Sequence, residues 1–144
     1  SRFPTSLVGH LGISTIGRSR VEECKMITPD DFERMFAAYN AQDVEGVLAF
    51  FAEDAIFDLA AGTDLCGERF EGKPAIREVF IKAFGKVEHL NYEPTDTRIA
   101  GDKAYCEQRR RETLKTGGIS DRLIIDVLTF RDQQIIHKTT YWKN

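Results

Sequence analysis

From Thr28 onward the chain places apolar residues in two successive rhythms, first one of a helix and then one of a strand. "TPDDFERMFAAYNAQD" opens with Thr28 as a cap, Pro29 at the first helical position and Asp30 and Asp31 in the first turn. Phe32, Met35, Phe36 and Tyr39 then recur at i, i+3, i+4 and i+7, the apolar stripe of a helix. Asp43 suits the cap of a second, short helix, "VEGVLAFF"; "DAIFDLA" predicts a short strand and "AGTDLCGERFEG" a long loop. "KPAIREVFIKAFG" predicts another helix, with Ile76, Val79, Phe80, Ala83 and Phe84 on one face and Gly85 as the stop. After Gly85 the period switches to two. Strands are expected at about 87–99, 103–115, 119–131 and 134–142, joined by "GDK", "KTGG" and "RDQQ". Connections so short pair neighbours antiparallel. Helices first and strands after is an α+β pattern. The expected architecture is a cone-shaped α+β barrel, its N-terminal helices covering the concave face of a curved, mostly antiparallel sheet with an apolar mouth.

Residues 1–26 follow neither rhythm. "SRFPTSLVGHLGISTIGRSR" has no acidic residue and is rich in Ser, Gly and Arg. A targeting peptide is one reading; the preferred one is an appended leader or tail with no function assigned, leaving 27–144 as a single domain. Composition adds exclusions. A net charge of -3 disfavours a nucleic-acid or anionic-membrane surface, and no apolar run reaches the ~18 residues of a membrane span. Cys24, Cys66 and Cys106 form no C-x-x-C, which favours free thiols in a reducing compartment. His10, His89 and His137 form no metal-binding pair, so no metal is expected. "GERFEGK" has the spacing of a phosphate-binding loop but continues into Pro74 where a Ser or Thr is needed.

The chemistry is concentrated on two strands. In "RLIIDVLTF", Asp126 interrupts a run built for burial. An ionised side chain there costs several kcal/mol unless it is paired, hydrogen-bonded or kept protonated. Arg122, Ile124, Asp126, Leu128 and Phe130 share one face of that strand. In "YCEQRRRET" one face carries Tyr105, Glu107, Arg109, Arg111 and Thr113, the other Cys106, Gln108, Arg110 and Glu112. Neither is apolar. Glu107 and Arg109 are taken as the pair that meets Asp126, with a plain structural ion pair as the competing reading.

"PDDFERMFAAYNAQDVEGVLAFFAEDAIFDL", "GKPAIREVF" and "IIDVLTFRDQQIIHKTTYW" together resemble the α+β-barrel superfamily of nuclear transport factor two. Within it the pattern is similar to SnoaL-like polyketide cyclases, ketosteroid isomerases and limonene epoxide hydrolases. The resemblance implies a small cytoplasmic protein without cofactor, dimeric through the outer surface of its sheet. It also implies a hydrophobic small molecule with a polar group bound in the cone. Asp126 falls where ketosteroid isomerases keep a protonated Asp as an oxyanion donor, whereas Met35 and Leu59 stand where those enzymes have a phenol and a general base. Limonene epoxide hydrolases carry an Arg and an Asp two apart on the strand matching 105–113; Glu107 and Arg109 are the corresponding pair here, with charges exchanged, and Thr140 stands at their second Asp.

The expected function is therefore acid–base chemistry on a hydrophobic substrate: isomerisation, cyclisation, dehydration or epoxide opening. Asp126 is expected to be the acid or oxyanion donor, its pKa raised by apolar surroundings, with Glu107 the base and Arg109 and Arg122 holding a polar substituent. Tyr39, Phe36, Phe57, Trp142 and Thr140 are the expected lining. The alternative is a non-catalytic ligand- or partner-binding protein of the same fold.

Overall fold

The computed structural model describes residues 26–143; the segment read as a leader lies outside them, apart from Met26. Helix α1 (Pro29–Asn40) starts where Asp31 accepts the Thr28 N–H at 2.8 Å, and buries Phe32, Met35, Phe36 and Tyr39 as the stripe predicts. Asp43 caps α2 (Val44–Leu48) by accepting the Gly46 N–H at 3.0 Å. The sheet contains β1 (Phe51–Asp58), β2 (Arg69–Glu71), β3 (Val87–Ala100), β4 (Lys103–Leu114), β5 (Ile119–Arg131) and β6 (Gln134–Lys143), with α3 (Lys73–Gly85) between β2 and β3. The order across it is β2-β1-β6-β5-β4-β3. Every pairing is antiparallel except β1 with β6. The architecture is the curved α+β sheet expected from the two rhythms.

Two local differences have physical causes. Strand β1 begins at Phe51, inside the expected second helix, because the chain there joins β6: the Ile135 N–H bonds the Phe50 carbonyl at 2.7 Å and Phe51 pairs with Ile135. The expected long loop contains β2, three residues too few to show a period. That loop also explains the glycine spacing that mimics a phosphate-binding motif. Gly67 has φ +78°, and a Cβ there would lie 1.9 Å from the Leu59 carbonyl oxygen. Glycine is needed where the loop crosses the end of β1.

Aromatic packing joins the helices to the sheet. The Phe80 ring lies 5.7 Å from Tyr39, 5.9 Å from Phe51, 5.6 Å from Phe57 and 5.6 Å from Phe84. On the other side of the sheet, Asp58 locks three strands together. Arg69 grips it with a fork at 2.7 and 2.9 Å, and His137 Nε2 lies 2.8 Å from Oδ2. The Arg69 fork, helped by His137, holds the Asp58 carboxyl below the usual carboxylate range although burial pushes the other way. A carboxylate held below its unfolded value contributes stability that is present above about pH 3.9 and is lost as pH falls through the folded value. Asp58→Asn is thus expected to melt lower than the parent at pH 7 and to lose less Tm on acidification below about pH 4. Thermal melts across that range check it; parallel Tm curves for the two proteins would contradict it.

Candidate active site

The centre of the sheet's inner face is set by register. Cys106, Asp126 and Thr140 stand opposite one another on β4, β5 and β6; one step along, Gln108, Ile124 and Trp142 do the same. Lys138 is opposite Leu128, so it shares this face. Strand β1 contributes Phe57, the partner of Lys138 in the parallel pairing. Above them α3 supplies Val79, Phe80, Ala83 and Phe84, and β3 supplies Val87, Leu90 and Tyr92. These elements enclose a cavity of about 290 Å³ whose polar groups are Tyr92, Arg110, Glu112, Asp126, Lys138, Thr140 and the exposed Lys86.

Asp126 is 8% exposed and answers the question its neighbours raise. Gln108 Nε2 donates to Oδ2 at 2.6 Å and Thr140 Oγ1 donates to Oδ1 at 2.6 Å. The Lys138 ammonium lies 3.8 Å from Oδ2 and donates to the Tyr39 hydroxyl at 2.6 Å. Lys138 is 5% exposed and sits over the rings of Tyr39, Phe57 and Phe80 at 4.8, 4.8 and 5.5 Å. A buried cation is tolerable there because a carboxylate, a phenol and three π faces surround it. Burial pushes the Tyr39 phenol well above its ordinary range, with Asp126 adding to the effect. Burial likewise pushes Tyr92 up to about 12, against the pull of Arg110 and Lys138. At neutral pH both phenols therefore keep their protons.

The residues named from the sequence are divided between the cavity, the core and the outer face. Asp126, Phe57, Thr140 and Trp142 line the cavity. Tyr39 lies behind Lys138 as a buried core residue, and Phe36 packs in the core against Tyr92 at 6.4 Å, so neither forms the wall. Arg122 faces inward and stacks on Trp142 at 4.3 Å. Glu107 and Arg109 require correction: both are exposed on the outer face of β4, and Arg109 forks Asp121 at 2.9 and 2.6 Å. Because Cys106 pairs with Asp126, even-numbered residues of β4 share the inner face and odd ones cannot. Asp126 is thus not a lone carboxylate answered by Glu107 and Arg109. Its cation is Lys138, and the second cavity carboxylate is Glu112, 3.6 Å from Arg110. Lys138, Tyr92, Arg110 and Glu112 were not singled out by sequence reasoning. Parity carried outward from Asp126 contains three of them, since Lys138, Arg110 and Glu112 all lie on strands directly paired in even register.

Among the described residues, no three His, Cys, Asp or Glu side chains converge as metal donors, and no helix is long and apolar enough to cross a membrane. The side chains that line the cavity can carry proton transfer and charge stabilisation. A carboxylate acceptor, an ammonium and a protonated phenol face one apolar chamber, with a guanidinium–carboxylate pair on the same wall.

Comparison with known proteins places the fold. The family described as SnoaL-like domain matches residues 32–138. Among curated proteins none matches the chain in sequence. Among solved structures, a protein of ketosteroid isomerase-like fold from Catenulispora acidiphila, in complex with trimethylamine, is similar at TM-score 0.69 and 19% identity, covering 80% of this chain and 86% of that one. A candidate isomerase from Bacillus subtilis gives TM-score 0.67 and 24% identity over 79% of this chain and 84% of that chain. IdmH, a candidate polyketide cyclase from Streptomyces antibioticus, gives TM-score 0.65 and 19% identity over 80% and 91%. At these identities the likenesses carry the fold.

Proposed function

The chain belongs to the SnoaL-like domain family, and on that premise we propose that it is a cofactor-free acid–base enzyme acting on a small hydrophobic molecule inside the cone. The observation that carries this reading is the Asp126 carboxylate, 3.8 Å from the Lys138 ammonium in the wall of an apolar cavity. Asp126 accepts a proton from substrate carbon or from a water attacking it. Lys138, with the protonated Tyr92, stabilises the oxyanion that results. Glu112, not Glu107, is the second carboxylate, and its neighbour Arg110 orients a polar substituent. The reaction is an isomerisation, cyclisation, dehydration or epoxide opening, each of which begins or ends with a proton transferred at a substrate carbon or oxygen.

Binding without turnover is a second reading with one observation behind it: both Asp126 oxygens already accept hydrogen bonds from Gln108 and Thr140. A generic proton-abstraction probe separates the two. Nitrobenzisoxazole opens to a coloured phenolate when a base removes its ring proton, and an apolar chamber accepts its flat ring. The enzyme reading expects a rate that saturates with probe and is inhibited competitively by phenylbutanol, an uncharged occupant of the chamber. A rate no higher than that of acetate at equal concentration supports the binding protein.

The outer face of the sheet presents exposed Tyr105, Leu123 and Tyr141 beside half-buried Ile125 and Val127. We infer that a second copy covers this face, as the fold family leads one to expect, and that the protein works in the cytoplasm. Equilibrium sedimentation is expected to give twice the 16.4 kDa chain mass; a monomer at micromolar concentration removes the dimer from the proposal.

A further inference from the structure

At the solvent side of the cavity, Arg110 and Trp142 of its lining meet Arg122, which lies just outside that lining, in an arrangement that stability alone does not favour. Arg110 on β4 and Arg122 on β5 are direct cross-strand partners, and both point to the inner face. Like charges placed opposite each other weaken a sheet. The cavity that Arg110 lines also holds Lys86 and Lys138, although the protein as a whole carries a net charge of -3. The carboxylates do not balance them. Asp126 answers Lys138 at 3.8 Å and Glu112 answers Arg110 at 3.6 Å, while Arg122 forms no ion pair among the described residues. Arg110 Nε is also buried without an acceptor, which is unfavourable for a polar group.

Trp142 holds the two guanidinium groups in place. Its ring lies 4.3 Å from the Arg122 guanidinium and 5.8 Å from that of Arg110. A guanidinium stacked on a ring keeps its N–H edge free for an acceptor lying in its own plane, which is the geometry of bidentate carboxylate recognition. Trp142 itself lines the cavity and is 37% exposed, so this cationic edge lies where the chamber meets solvent.

We infer that Arg110 and Arg122, stacked on Trp142, form a subsite for an acidic oxygen group of the substrate, so that the substrate is an amphipathic acid rather than a neutral hydrocarbon derivative. The inference rests on the cone being the substrate site and narrows the substrate class within it. The apolar body of the ligand packs against Val79, Phe80, Phe84 and Leu90, and its carboxylate, enolate or phenolate ends at the arginine pair.

The protein contains a single Trp, and it is Trp142, so intrinsic fluorescence reports this wall alone. Phenylbutyrate and phenylbutanol differ only in the acidic group and absorb little where Trp is excited. The acid is expected to bind the parent protein about tenfold or more tighter than the alcohol, as charge-assisted hydrogen bonds are worth. Arg122→Gln, a half-buried position free of ion pairs, is expected to remove most of that preference while leaving alcohol binding unchanged. Arg110→Gln is likewise expected to lose the preference for the acid, and Arg111→Gln, on the outer face, is not. Equal affinity of acid and alcohol for the parent protein, or a preference undiminished in Arg122→Gln, overturns the subsite and leaves the cone intact as a ligand chamber. Failure of both compounds to perturb Trp142 or to give a heat of binding overturns the chamber as well.

Discussion

Replacing Lys138 with Met is expected to cost about 3–5 kcal/mol of folding free energy, the usual penalty for removing one partner of a buried ion pair. Lys138 and Asp126 have side chains only 6% and 11% exposed, so neither charge is compensated by bulk water. Without the ammonium, Asp126 keeps only the Gln108 and Thr140 donors, and the Tyr39 hydroxyl loses its donor at 2.6 Å. Methionine is the informative replacement because its unbranched stem fills the box of Tyr39, Phe57 and Phe80, which keeps cavity formation out of the loss. The partner experiment removes both charges. Asp126→Asn combined with Lys138→Met is expected to recover a large part of the loss, since the residual cost of the single variant is the uncompensated carboxylate and not the absent bond. Urea unfolding of the parent, both single variants and the double variant yields the coupling directly, provided the m-values agree. A Lys138→Met variant within about 1 kcal/mol of the parent would mean that the pair contributes as surface pairs do, and the buried-charge account of this site would fail.

How much of this was legible in the sequence depends on which physical constraint is local. The stripe Phe32, Met35, Phe36, Tyr39 and the cap at Thr28 fix α1 within its own residues, and the period of two fixes β3 to β6 in the same way. Strand β2 is different. Arg69–Glu71 is extended only because β1 lies beside it, so no property of those three residues announces a strand. The site divides along the same line. That Asp126 shares a face with Ile124 and Leu128 is intrinsic to one strand, and the structure places all three inward. Which face of β4 meets it is a property of two strands and the turn between them. With Thr113 opposite Ile119, even residues face even residues; one residue more or fewer in "KTGG" would have brought Glu107 and Arg109 inward. Lys138 was hidden for another reason. In "IIHKTTYW" it looks like an ordinary exposed lysine of an edge-like strand, and only the parallel pairing of Phe57 with Lys138 reveals that β6 runs through the middle of the sheet.

The same register determines the largest catalytic effect. Asp126→Asn is expected to lower the rate of proton abstraction by about 10²–10⁴-fold, the contribution typical of a positioned general base. The substitution keeps size and shape, and the Asn carbonyl oxygen still accepts one of the two hydrogen bonds now made at 2.6 Å by Gln108 and Thr140. One donor is left facing an NH₂ group, so a modest loss of stability accompanies the variant, and its fold can be checked by its unfolding curve. Binding provides the discriminating readout. The apolar wall of Val79, Phe80, Phe84 and Leu90 is untouched, so phenylbutanol should quench Trp142 with unchanged affinity while nitrobenzisoxazole turnover collapses. Loss of both would make Asp126 an organiser of the chamber. Retention of more than about half the parental rate would exclude it as the proton acceptor, since a positioned base is worth far more than twofold. Glu112 is then the remaining carboxylate in the chamber, and Glu112→Gln becomes the variant that must lose turnover if the cone is catalytic. Lys138 can stand in for neither carboxylate: its ammonium already donates to Tyr39, and it offers a developing oxyanion charge and hydrogen bonds, not a site for the departing proton.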